Sequence, residues 1–345
     1  MAATDTGPLV SIVIDNYNYA RFLGLSIDSA LAQTYPRVEV VVVDDGSTDE
    51  SVAVATAYGD RIRLVAKANG GQASALNAGF DACTGDIVVF LDSDDELYPE
   101  AAAELVAAWQ PGAAKAHWRL DEVDADGTPV GRTNPPAAAR LGSGEVRESL
   151  LRTGRYTTPV MSGNAYSRAA LQEVLPIPEE RFRRTADGYL TAVAALVGPV
   201  VAVERSLGAY RRHGANGWAS SSIDARAIGG HVERELARYD ELEKAAAVRG
   251  LDMEPDVGMR DQSGLRSRLA SFRLDRAAHP APGDRRSRLV LAGVRSMLAS
   301  PEAGPRTKAA FAVWFVLVGY APLPVARTLI TWLYVPASRP SRRPR

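Results

Sequence analysis

The first hundred residues alternate short, nearly unbroken apolar runs with longer stretches of helical spacing. Leu9-Val10-Ser11-Ile12-Val13-Ile14, Val38 to Val43 (apolar except for Glu39), Ile62-Arg63-Leu64-Val65 and Ile87 to Leu91 have the length and β-branched content of strands. Between them, Arg21 to Gln33 sets Phe22, Leu25, Ile27, Ala30 and Leu31 roughly on one side of a helix. Ser47-Thr48-Asp49-Glu50 opens a second helix with Ser47 or Thr48 as its cap, and Ala73 to Ala82 forms a third. Repeated β-α-β spacing with apolar strands predicts an α/β fold whose parallel sheet is covered on both faces. Ligands of such sheets bind beyond the carboxyl ends of the strands.

Polar residues collect at those ends. The first strand runs into Asp15-Asn16-Tyr17-Asn18, the second into Asp44-Asp45-Gly46-Ser47, the third into Lys67 and Asn69-Gly70-Gly71-Gln72, and the fourth into Asp92-Ser93-Asp94-Asp95. Clustered carboxylates repel and raise each other's pKa, so the last group needs a reason. A solvated turn or a helix cap is one, since Asp is favoured at both. A divalent cation is another: hard oxygen ligands at i and i+2 suit Mg²⁺ or Mn²⁺, which usually also hold substrate phosphates. Four consecutive strands delivering carboxylates, amides and glycines to one edge favour a site for a nucleotide and a metal.

The pattern weakens from Trp109 to about Gly144 and returns over residues 145–215. There Pro159 to Ala165 reads as a strand feeding a tight turn, Ser167 to Leu175 and Asp187 to Leu196 as helices, and Val200 to Val203 as a strand. Residues 224–300 read as long helices, with Val232, Leu236, Tyr239 and Leu242, then Leu265, Leu269 and Phe272, at helical spacing. Beyond them, Ala309 to Gly319 is nearly all apolar, Pro322 and Pro324 interrupt, and Val325 to Val335 continues apolar apart from Arg327 and two threonines. Arg339, Arg342, Arg343 and Arg345 close the chain. Neither half reaches the roughly 20 apolar residues of a membrane-spanning helix. The tail reads either as a shallow interfacial element, with aromatics at headgroup level and arginines drawn to anionic lipid, or as a helical pair packed on the protein or in a dimer.

With 345 residues, 46% hydrophobic, the chain can bury a large core and hold two domains. The net charge of -1 argues against a nucleic-acid partner, which would need a basic face. The single cysteine, Cys83, excludes an internal disulfide, fits a reducing compartment and reads as a packing residue. Met1 to Pro8 lacks the basic start and apolar core of a secretory signal. The expected location is cytoplasmic, and the interfacial reading of the tail would add peripheral contact at the cytoplasmic membrane face.

Taken in order and spacing, Ser11-Ile12-Val13-Ile14 with Tyr17-Asn18, Val43-Asp44-Asp45-Gly46-Ser47-Thr48-Asp49, Asn69-Gly70-Gly71 with Ala75-Leu76-Asn77-Ala78-Gly79, Thr84-Gly85-Asp86 and Phe90-Leu91-Asp92-Ser93-Asp94-Asp95 resemble the glycosyltransferase family 2 pattern. The resemblance is dense over residues 9–100, thinner to about 216, and slight beyond. Asp15 departs from it, at a position where the family often has Pro.

The resemblance implies a GT-A fold, a mostly parallel sheet between helices, followed by a C-terminal α-helical extension. Residues 1–220 would be the catalytic domain (nucleotide-sugar half about 9–110, acceptor half about 111–220), 221–305 the extension, and 306–345 the apolar, basic-ended tail. It implies inverting transfer from a nucleotide-diphosphate sugar to a carbohydrate or lipid-linked acceptor. Asn16, Tyr17, Asp44, Asp45, Lys67, Gly71, Asp92 and Ser93 would bind the donor, the glycines admitting phosphate or sugar close to the backbone. Asp94, with Asp92, would hold Mg²⁺ or Mn²⁺. Ser162, Gly163 and Asn164 would form the acceptor-side turn, for which an ordinary tight turn is the plainer account. Asp187, in Arg184-Thr185-Ala186-Asp187-Gly188-Tyr189-Leu190, would be the base; a first-turn Asp favoured by the helix dipole is the alternative. His213, in Tyr210-Arg211-Arg212-His213-Gly214-Ala215-Asn216, would complete the metal or phosphate site, with Arg211 or Arg212 neutralising diphosphate; a structural histidine is the plainer account of His213. His117, His231 and His279 fall in no motif.

Two other functions share these residues. A sugar-nucleotide nucleotidyltransferase would want a Gly-rich loop bearing Arg and Lys after the first strand, where Asp15-Asn16-Tyr17-Asn18 stands instead. A non-catalytic binding module would not need the intact set Asp45, Asp92, Asp94 and Asp187.

Overall fold

A computed structural model describes residues 7–214, 224–300 and 303–335. The readings made on residues 1–6, on Ala215 and Asn216, and on the terminal arginines lie outside the described residues. The β-α-β alternation is present: β1 (Val10–Asn16), α1 (Ala20–Leu31), β2 (Val38–Asp44), α2 (Ser51–Thr56), β3 (Arg63–Ala66), α3 (Gln72–Ala82) and β4 (Ile87–Asp92). Then come β5 (Glu96–Leu97), α4 (Ala101–Ala108), β6 (Lys115–Val123), β7 (Pro129–Asn134), α5 (Arg147–Thr153), β8 (Asn164–Ser167), α6 (Arg168–Val174), α7 (Ala186–Val193) and β9 (Val200–Arg211). Five longer helices follow: α8 (Ala225–Val248), α9 (Gln262–Leu274), α10 (Arg286–Ala299), α11 (Pro305–Tyr320) and α12 (Leu323–Tyr334).

The strands form a mixed sheet in the order β3-β2-β1-β4-β8-β6-β9-β5, with β7 beside β6. The first four are parallel; the apolar residues of β1, β2 and β4 are almost all buried, as a sheet covered on both faces requires, while the edge strand β3 is only partly covered. β8 turns antiparallel on β4 and carries the sheet into its second half, where β6 and β9 run parallel. Glu39, the polar interruption of β2, accepts from the Gly85 backbone N–H at 2.9 Å and from the Thr84 hydroxyl at 3.2 Å, which fixes the turn into β4.

Four local expectations change. The helix expected at Ser47 begins at Ser51, because Asp44 Oδ1 takes the Ser47 N–H (2.8 Å) and the Ser47 hydroxyl bonds Asn16 and Asn18 instead of capping. The strand expected over Pro159–Ala165 is a 3₁₀ turn, Met161–Gly163, feeding β8. The weakly patterned region after Trp109 holds β6 and β7. The strand at Val200 runs on to Arg211.

The described residues divide into two compact units, one within 1–148 and 156–212, the other within 149–155 and 213–345. The second is helical. Its core gathers Leu265, Leu269, Leu289, Phe315, Val318 and Ile330 from α9 to α12. Gly293 of α10 has no side chain because the Phe315 ring occupies that space. A charged knot supplements the core: Asp261 caps α9 and also accepts from Tyr239 (2.5 Å) and Arg238 (3.3 Å), while Arg155 pairs with both Asp261 and Glu235. Arg155 therefore ties the short Ser149–Arg155 stretch to α8 and α9.

Candidate active site

β1 is central among the parallel strands. The chain leaves it toward β2 and β3, and α3 then brings it back to β4 on the other side. Connections diverge between β1 and β4, which is where open α/β sheets leave a crevice for ligands. The residues paired across that divide at its carboxyl end are Asp15 and Asp92. Asp45 follows β2, whose last residue, Asp44, pairs with Asn16.

Asp44 and Asp45 are both buried, and they do different things. Asp44 organises the loops: Oδ2 accepts from Asn16 Nδ2 (2.8 Å) and Oδ1 from Ser47 N–H. Asp45 anchors the loop after β3, accepting from Lys67 Nζ (2.8 Å), Gly70 N–H (2.9 Å) and Gly71 N–H (2.6 Å). An ionised carboxylate has about four acceptor positions, so Asp45 retains one. Tyr17, after β1, is exposed, and Ser93, after β4, is buried.

Gly71 has φ +87, which favours glycine, and a Cβ there would run into the Arg183 backbone. The space expected to admit a phosphate is thus filled by the segment leading into α7. That segment is fastened by Gln72, which the sequence reading passed over. Its backbone N–H donates to Arg183 O (2.8 Å), its Oε1 accepts from Ala186 N–H (3.1 Å), and its Nε2 reaches Asp92 Oδ1 (3.3 Å). Gln72 links the β4 carboxylate to the first turn of α7, where Asp187 stands.

The carboxylates feel one another strongly. Burial pushes Asp15 up to about 7, with Asp94 and Asp187 adding to it. Burial, then Asp15, Asp95, Asp94 and Asp187, holds Asp92 well above the usual carboxylate range. The phenols of Tyr19 and Tyr210, also missed from sequence, are raised by burial and then by the same carboxylates, Tyr19 to about 12. The geometric link between Asp92 and the turn that carries Asp187 is Gln72, which bonds Asp92 Oδ1 and the N–H of the neighbouring Ala186.

Asp95, to which the sequence reading gave no task, is buried and bonded to Ser162 Oγ (2.6 Å) and Arg211 N–H (2.9 Å). Ser162 Oγ in turn accepts from the Asp92 backbone N–H (3.1 Å). Asn164 donates to Val160 O (2.7 Å) and accepts from Thr158 (3.1 Å), and Gly163 packs against Pro159 and Trp118. The Ser162-Gly163-Asn164 turn is a buried brace for the carboxylate loop. Arg211 is turned inward, paired with Glu96 and bonded to Asp94 O (3.1 Å), so it is not free to neutralise a diphosphate; Arg212 pairs with Glu122 (3.1 Å). His213 belongs to the second unit. A cavity of about 470 Å³ lined by Gln33, Tyr35, Glu39 and Arg61 contains none of these carboxylates.

A cation fits this cluster. Asp15 Oδ1 is buried without a hydrogen-bond partner, and neither Asp15 nor Asp92 has a cationic side chain within 4 Å among the described residues. No group of three or more His, Cys, Asp or Glu among the described residues is arranged to hold a metal unaided.

A half-sheet in the order 3-2-1-4, carboxylates at its switch point and a second half built on an antiparallel crossover define a GT-A type transferase. The crystal structure of S. aureus TarS (residues 1–349, in complex with UDP-GlcNAc) superposes with a TM-score of 0.57 at 17% identity, covering 94% of this chain and 91% of that one. Residues 11–175 match the family model described as glycosyl transferase family 2. The uncharacterized glycosyltransferase alr2836 of Nostoc sp. is 37% identical over 219 residues, 62% of this chain and 67% of the relative. The chondroitin synthase of Pasteurella multocida is 46% identical over 97 residues, 27% of this chain and 10% of that much longer protein. The chain belongs to glycosyltransferase family 2, and it is a glycosyltransferase.

Proposed function

We propose that the protein is a metal-dependent, inverting glycosyltransferase that moves a sugar from a nucleotide-diphosphate sugar to an acceptor hydroxyl in the synthesis of a polysaccharide or other glycoconjugate. The observation that carries this reading is the convergence of Asp15, Asp92, Asp94 and Asp187 at the β1–β4 switch point. Asp94, with Asp92, would hold Mg²⁺ or Mn²⁺, which when bound neutralises charge on the departing diphosphate. Asp45, through its remaining acceptor position, and Asn16, Tyr17, Asp44 and Lys67 would receive the nucleoside. Inversion requires attack from the face opposite the leaving group, so the base must come from a different element than the metal carboxylates. Asp187, on α7, meets that condition and takes the proton from the acceptor hydroxyl.

TarS, which shares the fold, was solved with UDP-GlcNAc, so uridine diphosphate sugars are the first donors to try. The acceptor is a carbohydrate or a lipid-linked glycan, met at the cytoplasmic face of a membrane. The test is Asp187→Asn with UDP affinity measured beside transfer. Transfer should fall about 10²- to 10⁴-fold, the usual contribution of a positioned base, while UDP affinity stays within a factor of two or so. Unchanged transfer would remove Asp187 from the role. Chelation should abolish UDP or GDP binding; full affinity in chelator would refute the Asp92/Asp94 assignment.

A further inference from the structure

α11 is apolar around its whole circumference from Ala309 onward, and only one side of it is covered. Phe315 and Val318 are fully buried in the helical core, and Phe311 and Trp314 pack against that core. Tyr334 of α12 bonds to Ser267 (3.0 Å), and Trp314 Nε1 donates to Leu329 O (3.2 Å). Most tail aromatics, expected at headgroup level, are therefore spent inside the unit.

The opposite side carries Val313 (55% exposed), Val316 (46%), Leu317 (42%) and Tyr320 (57%), spaced i, i+3, i+4, i+7, and Leu323 and Val325 extend it past the turn. Six of the thirteen large apolar side chains exposed among the described residues fall within positions 313–325. Scattered exposed apolar residues are ordinary, whereas a contiguous patch marks a partner.

Charge selects the partner. Arg306 and Arg327 are exposed on the two helices that carry the patch, Lys308 is half-buried with its Nζ donating to Leu298 O (3.0 Å), and no acidic residue follows Glu302 in the chain. A cationic rim around an apolar stripe matches an anionic lipid surface. No described helix is long and apolar enough to cross a membrane, so the patch would lie in the interface.

We propose that the outer face of the α11–α12 hairpin docks the enzyme on anionic phospholipid, with Val313, Val316, Leu317, Tyr320 and Leu323 entering the headgroup boundary. This deepens the membrane-proximal reading above and rests on it for the acceptor's location only. The test, which needs neither donor nor metal, can fail while the catalytic reading stands.

The full chain is floated with phosphatidylcholine–phosphatidylglycerol vesicles and with pure phosphatidylcholine vesicles. Binding to the mixed vesicles should be at least about tenfold tighter. Val316→Glu with Leu317→Glu should cost at least about tenfold, and each of Arg306→Gln, Lys308→Gln and Arg327→Gln about fivefold. All of these side chains are exposed or partly exposed, and an unchanged melting temperature verifies that the variants fold. Equal binding to both vesicle types overturns the proposal, as does full binding by the double glutamate variant. So does absence of vesicle binding with a dimer that the glutamates dissociate, which would assign the face to a second copy of the chain.

Discussion

Asp15 carries the sharpest local conflict in the molecule: a buried, unpartnered carboxylate oxygen facing other carboxylates. Asp15→Asn removes one of the repelling charges and keeps the side-chain shape. In metal-free buffer at pH 8 the variant should melt a few degrees higher than the parent, and the gain in melting temperature on adding Mn²⁺ with UDP should shrink. A lower metal-free melting point would show that the charge is compensated in a way the cluster does not reveal. Asp45, Asp92 and Asp94 could be placed from the sequence because strand ends can be read from apolar runs, whereas Asp187, in the first turn of α7, was marked only through the family resemblance. Asp15 could be marked only as a departure from the family pattern. Gln72 was illegible: its bond to Ala186 spans 114 residues, and nothing local in Gly71-Gln72-Ala73 announces it.

At the scale of elements, the parallel half was readable since each strand is a mostly apolar run, and the second half was not. β6, Lys115-Ala116-His117-Trp118-Arg119, buries three residues that usually signal a surface. They can be buried because each is bonded: Lys115 to Tyr156 and Thr158 (2.8 Å each), His117 to Gly142 O (2.8 Å), and Arg119 to the carbonyls of Pro136 (3.1 Å) and Ala139 (2.7 Å). Those partners come from irregular segments, which periodicity does not read. The loop before α3 gives the element-scale prediction. Gly71→Ala forces a Cβ into the Arg183 backbone at a positive φ, so it should cost about 1–3 kcal/mol, read as a lowered urea midpoint. Because the displaced segment leads directly into α7, transfer should fall more steeply than UDP affinity. A fall in both by the same factor would place the glycine in donor binding instead.

At the scale of the whole molecule, acid should weaken the helical unit. Burial presses His231 down to about 4, so the unfolded chain takes up a proton that the folded chain refuses. Stability from this group is present above pH 6.5 and is lost as pH falls from 6.5 to 4. Glu235, held down to about 2 by Arg155 and Arg238 against the opposing effect of burial, loses its contribution from pH 4.5 downward. His231→Gln should flatten the upper limb of the acid titration of stability and leave the lower one in place; an unchanged upper limb would assign it to another group. The two-unit architecture carries one more consequence. Because Ser149–Arg155 lies in the helical unit while the chain on either side of it lies in the sheet unit, no single cut separates them. The helical part is not a cassette that gene fusion could add to or strip from a finished catalytic domain. A protease fragment ending at Arg212 would keep Arg155 yet lose Glu235 and Asp261, so exchange of this extension between relatives would have to proceed as a coordinated replacement of two separated stretches of sequence.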